Sequence, residues 1–209
     1  MFYGKNISQN TVTVSNGVVI TQVQKTENPN YVFVTIDLKN ITAQELIFTF
    51  KNGKKSFNQS YSIKKRKENS RNRKSFDSSD MMYLIMPDRF ANGNEKNDSD
   101  SNLQEKANRN NPGGRHGGDI QGIINNLDYL QSLGVTALWS TPLCEDNDKG
   151  YSYHTYGQSD VYKIDTRYGT NEDYVRLSSE MKKRNMKLVK DYVTNHWGAE
   201  HWMFKDMPT

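Results

Sequence analysis

A single cysteine, Cys144, stands in 209 residues, so no disulfide can form within the chain and a disulfide-stapled scaffold is excluded, while an extracytoplasmic location stays open. Long apolar runs are missing as well. No window approaches the roughly 18 uninterrupted apolar residues of a membrane span, and residues 1–10 lack the basic and apolar regions of a signal peptide. Hydrophobic residues make up only 34% of the chain, below the roughly 45–50% of ordinary globular domains, and 23 asparagines take up much of the difference. The 11% aromatic content nevertheless argues for a packed core rather than disorder. Acidic charge is nearly absent from one stretch: residues 51–75 carry ten Lys or Arg against Glu68 alone, a local charge of +9 within a net +4. The basic character is therefore local. With no zinc-finger spacing, RNP-type aromatics or bZIP heptads beside it, it reads as a solvated face or strand edge, and nucleic acid is not an expected partner.

The length suits one ordinary domain and part of a second, at roughly 100–200 residues each. Residues 11–20, 31–38, 46–50 and 56–63 are short alternating runs of strand type. Asn16-Gly17 and Asn52-Gly53 between such runs signal hairpins, since both residues tolerate the positive φ of a tight turn. An antiparallel sandwich-like domain is expected over residues 1–76, bounded by the Arg/Lys/Asn/Ser stretch 64–79. Beyond it the period changes. Residues 81–86 form a continuous apolar run closed by Pro87, as expected of a strand buried on both faces. Ile120, Ile123, Ile124, Leu127 and Leu130 then keep helical spacing up to Gly134, and residues 135–140 read as a second buried strand. Thr170 with Asp173 approximates a capping box before a second helix, and residues 187–193 form a third strand. Alternating strands and helices specify parallel units, whose chemistry gathers at the C-terminal ends of the strands.

Three segments at those ends carry candidate chemistry. Asn92, Asn94, Asn97 and Asp98 cluster oxygen donors around Gly93, and Gly117 with Asp119 extends the set; a hard cation such as calcium takes six to eight oxygens, although such clusters also occur as solvated turns. Residues 151–162 place His154 and Tyr156 beyond the second strand, where rings either stack on a pyranose or pack the loop onto the strand ends. Asp191 lies near the end of the third strand and His196 just past it, as a barrel-mouth pair or as a structural polar pair. No serine nucleophile elbow and no His-Glu-x-x-His spacing accompanies them.

In this order, Tyr83-Leu-Ile-Met-Pro-Asp-Arg-Phe-Ala-Asn-Gly93, Gly117-Gly-Asp-Ile-Gln-Gly122, Gly134-Val-Thr-Ala-Leu-Trp-Ser-Thr-Pro-Leu143, Tyr153-His-Thr-Tyr156 with Asp160-Val-Tyr162, and Asp191-Tyr-Val-Thr-Asn-His196 resemble the α-amylase family of glycoside hydrolases, in its neopullulanase and cyclomaltodextrinase branch. The early chain, residues 31–66, is similar to part of the β-sandwich that this branch places before its barrel. The resemblance implies an N-terminal β-sandwich (residues 1–76) followed by the first three strands of a TIM-type (β/α)8 barrel (77–209). By position it implies a supporting role for Asp191, sugar contacts from His154, Tyr156 and His196, and a calcium site at Asn92, Asn94, Asn97, Asp98, Gly117 and Asp119. Asn94 stands where an Asp is also found, and Thr155 where glycine is usual.

The implied activity is retaining hydrolysis of α-1,4-glucosidic bonds in maltooligosaccharides, cyclodextrins, starch or pullulan. Such hydrolysis takes a carboxylate nucleophile and a carboxylic acid about 5 Å apart. In the family these follow the fourth and fifth strands, past Thr209, so the chain is expected to be an N-terminal portion of such an enzyme, inactive alone. The alternative is a noncatalytic glucan-binding or assembly module. The resemblance also admits a homodimer of the full-length protein and either a periplasmic or a cytoplasmic residence.

Overall fold

A computed structural model describes all 209 residues, which divide into two compact units: Met1–Arg73 together with Asp206–Thr209, and Lys74–Lys205. No helix is long and apolar enough to cross a membrane.

The first unit is built from β1 (Phe2–Tyr3), β2 (Thr11–Val14), β3 (Val19–Lys25), β4 (Tyr31–Asp37), β5 (Gln44–Asn52) and β6 (Lys55–Ile63). They form two antiparallel sheets in the orders β1-β4-β3 and β2-β5-β6. The sheets share one core of Ile7, Val18, Val32, Leu46, Phe48 and Phe50. On β5 the alternation is visible: Leu46, Phe48 and Phe50 are buried while Ile47 between them is exposed. Phe2 wedges between Phe48 and Phe50, with ring centroids 4.9 and 5.0 Å away. Asp206 is held to this unit by Tyr3 Oη (2.8 Å) and the side-chain amide of Asn30 (2.9 Å).

The hairpin expected at Asn52-Gly53 forms, with Asn52 opposite Lys55. The one expected at Asn16-Gly17 does not. Both residues adopt positive φ (61° and 69°), yet β2 pairs with β5 and β3 with β4, so the turn carries the chain from one sheet to the other. The physical reason is a set of long-range bonds that tie the turn to β5: Ser15 N donates to the Ile47 carbonyl (3.0 Å) and the Asn16 side-chain amide to the Glu45 carbonyl (3.1 Å).

The second unit contains β7 (Met82–Ile85), β8 (Ala137–Ser140), β9 (Cys144–Asp146), β10 (Gln158–Ile164) and β11 (Lys187–Lys190), with helices α1 (Pro87–Phe90), α2 (Ile120–Asn125), α3 (Leu127–Ser132), α4 (Asn171–Lys183) and α5 (Trp202–Lys205). β7, β8 and β11 form a parallel sheet with β8 in the middle. Thr170 caps α4 in a full capping box with Asp173, and Gly134 takes φ 84° after α3. The expected single helix before Gly134 is two, broken at Asn126.

The core gathers on one face of this sheet, where Ile85 and Leu138 meet Ile120, Ile123, Leu127, Leu130, Leu177 and Met181. The reading of the first of these strands as buried on both faces is therefore corrected: only Ile85 of β7 is buried, and Leu84 is 59% exposed. Leu84, Trp139 and Val189 are register partners on the face opposite Leu138, where Leu84 and Trp139 are exposed and Val189 is half-buried. The third strand ends at Lys190, three residues short of the expected Val193. Part of the segment read as a loop after β8 is instead an antiparallel pair, β9 with β10, joined by a turn that carries His154.

Candidate functional site

The C-terminal ends of the parallel strands bring one constellation together. Asp191 immediately follows β11, and its Oδ2 accepts from Tyr156 Oη (3.2 Å) and from the Trp139 indole Nε1 (3.1 Å). Tyr156 reaches it from the β9–β10 connection and Trp139 from β8. Burial first, and then the Asp191 charge, hold the Tyr156 phenol above its usual range. The His154 ring lies 5.4 Å from that of Tyr156 and 5.2 Å from that of Tyr153, over which the Arg89 guanidinium sits at 4.1 Å. His154 Nδ1 accepts from Tyr156 N at 3.1 Å, which leaves its proton on Nε2. Burial lowers its pKa against the pull of Asp148 and Glu105, so it stands as a neutral donor near pH 7.

His196 does not join this group. It is exposed, and its hydrogen bond runs between its own Nδ1 and the neighbouring Asn195 side chain (3.2 Å). Trp139, Tyr153 and Arg89 were missed as site residues. For Trp139 a signal existed: an aromatic one position before the end of a strand faces the end of the next strand in register. Arg89 and Tyr153 carried no comparable signal.

The turn that presents His154 and Tyr156 is conformationally unusual. Thr155, where the resemblance leads one to expect glycine, is buried and takes φ 53°, a conformation that costs a β-branched residue about 1–3 kcal/mol. Its hydroxyl donates to the Pro142 carbonyl, which fastens the turn to the end of the second strand. On the turn's other side Asp146 accepts from Asp148 N (3.0 Å) and Gly157 N (3.1 Å). Burial pushes the Asp146 carboxyl up to about 7. Beneath it, the buried Asp165 accepts from Arg167 Nε (2.8 Å) and Nη2 (2.6 Å) and lies 4.0 Å from Arg115; burial alone would raise its pKa, but these cations hold it below the usual carboxylate range.

The oxygen-rich segment also assembles, around the start of α2. Asp119 is fully buried and caps that helix: Oδ1 accepts from Gly122 N (2.6 Å) and Gly93 N (3.0 Å), Oδ2 from Asn94 N (2.9 Å). The loop approaches so closely that a Cβ on Gly93 would fall 2.3 Å from Gly122 N and one on Gly122 1.9 Å from the Ala91 carbonyl oxygen. Asp98 accepts from the Asn92 side-chain amide (2.7 Å), and a Cβ on Gly117 would lie 2.7 Å from its Oδ1. No three His, Cys, Asp or Glu side chains gather here or elsewhere as a metal cage. One buried oxygen in this cluster, Asn97 Oδ1, has no hydrogen-bond partner.

Residues 84–209 match the family described as alpha amylase, catalytic domain, and residues 1–67 the one described as cyclomaltodextrinase, N-terminal. The chain belongs to the α-amylase family. It is 40% identical over 123 residues to alpha-amylase 2 of Schwanniomyces occidentalis, covering 57% of this chain and 23% of that enzyme. It is 38% identical over 128 residues to neopullulanase 2 of Thermoactinomyces vulgaris, covering 61% and 21%. Among solved structures, an Anoxybacillus α-amylase superposes with a TM-score of 0.56 at 42% identity, over 61% of this chain and 26% of that one. The α-amylase family member described here thus spans under a quarter of the curated relatives' length in both cases. Its family and these relatives are glycoside hydrolases of the α-amylase type.

Proposed function

We propose that these residues are the sandwich and the first three barrel strands of an enzyme that hydrolyses α-1,4-glucosidic bonds in maltooligosaccharides, cyclodextrins, starch or pullulan with retention. The observation that carries this reading is the Asp191 carboxylate, held by Tyr156 and Trp139 at the C-terminal ends of parallel strands. Barrel enzymes concentrate their chemistry there. The exposure of Leu84 and Trp139 on that face supports the barrel, because further strands closing on it would bury them.

In this reading Tyr156 offers a ring face to one glucose unit, His154 donates from Nε2 to a hydroxyl, and His196, exposed and apart from these two in the free chain, contacts the same sugar only when it binds. Asp191 orients Tyr156 and contributes negative charge beside the anomeric centre. It is one carboxylate, whereas retention takes a nucleophile and an acid about 5 Å apart, so this stretch binds sugar without cleaving it.

A calcium ion belongs to the same proposal, held by Asn92, Asn94, Asn97, Asp98, the Gly117 carbonyl and Asp119. The unpartnered Asn97 Oδ1 is the observation that fits it, and Asp119 retains one of about four carboxylate lone-pair sites after its three backbone bonds. When bound, the ion supplies charge that cross-links the loop to α2 and takes no part in the reaction. Calorimetric titration of the purified chain with maltoheptaose should give binding that Tyr156→Ala weakens, with no reducing sugar released. Unchanged binding in Tyr156→Ala, or turnover by the isolated chain, would overturn the assignment.

A further inference from the structure

The outer edge of the β2-β5-β6 sheet is a surface the glucan reading leaves unused. β6 pairs with β5 residue for residue from Asn52↔Lys55 to Gln44↔Ile63, with no bulge, and no strand pairs on its other side. Eight of its nine residues are exposed. A free row of N–H and C=O groups templates another strand, and proteins commonly blunt such edges with proline, a bulge or a charge inside the strand. Between Ser56 and Ile63 there is no proline, no bulge and no charge.

Side-chain chemistry singles out this edge further. Phe57, Gln59 and Tyr61 are register partners of the buried Phe50, Phe48 and Leu46, so they stand on the core face of the sheet, but at β6 that face is open. Phe57 is 48% and Tyr61 57% exposed, and with Phe2, Tyr3 and Ile7 they line a groove of about 460 Å³. Cations bracket the strand: Lys51, Lys54 and Lys55 at one end, Lys64, Lys65, Arg66 and Lys67 at the other, with no acidic residue from 46 to 67. None of the seven is salt-bridged.

We propose that β6 is a docking edge for an extended polypeptide segment that carries apolar side chains at alternate positions and carboxylates at both ends. Main-chain bonds to the edge supply affinity, the groove accepts every second side chain, and the bracketing cations fix register and speed encounter. A second copy of β6 is the wrong occupant, since antiparallel self-pairing sets Lys54 and Lys55 against Lys64 to Lys67. A glucan could stack on the rings but would leave both the backbone row and the cations unused. The proposal does not rest on the glucan-hydrolase reading, which concerns the other unit.

The test uses the full chain and the labelled peptide Glu-Glu-Val-Ser-Phe-Ser-Val-Glu-Glu, beside a version with Lys for Glu and a permuted acidic version without alternation, read by fluorescence anisotropy and amide hydrogen exchange. The expected result is binding of the alternating acidic peptide about tenfold tighter than either control, weakened by salt, with exchange protection gained in β6. Lys54→Glu/Lys55→Glu/Lys64→Glu/Lys65→Glu, all at exposed positions, should invert the preference to the Lys peptide. Phe57→Ser/Tyr61→Ser should weaken the acidic peptide while keeping the charge preference. Equal binding of the alternating and permuted peptides, no protection in β6, or β6 protection produced instead by self-association or by maltoheptaose would overturn the proposal.

Discussion

Replacing Asp119 with alanine separates a carboxylate that ties the chain to itself from one that serves a metal alone. In the folded chain its oxygens accept from three backbone donors, Gly93 N, Asn94 N and Gly122 N. Asn94 N keeps a second acceptor in Asn92 Oδ1 at 3.0 Å, so alanine orphans two N–H groups rather than three. At about 1–3 kcal/mol for each buried donor left unsatisfied, the loss is about 4 kcal/mol with no calcium present. Asp98→Ala is the control: that side chain is partly exposed, accepts from Asn92 and lies 3.7 Å from Arg109, so water replaces it at a cost of about 1 kcal/mol. All three tryptophans, Trp139, Trp197 and Trp202, lie in the second unit, so intrinsic fluorescence during urea unfolding reports on it selectively. The measurement is made in chelator, where the two variants should differ by about 3 kcal/mol. Equal losses, or a loss below about 1 kcal/mol for Asp119→Ala, would refute the hub assignment and leave the carboxylate a metal ligand only.

Other consequences are equally specific. Because burial raises the Asp146 carboxyl to about 7, the folded chain holds a proton there that the unfolded chain releases near the ordinary 3.8; its contribution is full below about pH 4, falls as pH rises through 7 and is flat above. The difference between wild type and Asp146→Asn in pH-dependent urea midpoints should trace that fall, amounting to about 4 kcal/mol, and a difference independent of pH would contradict it. Thr155→Val keeps the branched shape but strips the Pro142 carbonyl of its donor, and should cost about 1–3 kcal/mol, whereas Thr155→Gly exchanges that bond for relief of the positive φ and should stay within about 1 kcal/mol; the reverse order in unfolding experiments would mean the hydroxyl does not fasten the turn. Asp191→Asn should lower the Tyr156 phenol pKa in ultraviolet difference titration without returning it fully to 10.0, since burial is the larger cause, and an unchanged titration would break the Tyr156–Asp191 contact.

Local order in the sequence determined the kinds of elements and their succession. Alternation along β5 and helical spacing from Ile120 to Leu130 are properties of a few neighbouring residues, and the Thr170–Asp173 cap spans four. The ordered motifs from Tyr83 to His196 likewise carried the family. What tertiary structure decided is who meets whom. Asn16-Gly17 has the backbone of a hairpin turn, and only bonds to β5 made it a passage between sheets. The β9–β10 pair was hidden because β9 is only three residues long, β10 is largely polar, and their register is interrupted by irregularities. Asp191 was visible as a candidate, but its partners Tyr156 and Trp139 are 35 and 52 residues away in the chain, and no periodicity spans such a gap. Thr155 joins the two levels. Its identity alone argued against the left-handed turn, and the folded chain imposes that turn through the Pro142 carbonyl, a contact that exists only once the second strand and the β9–β10 connection have packed together.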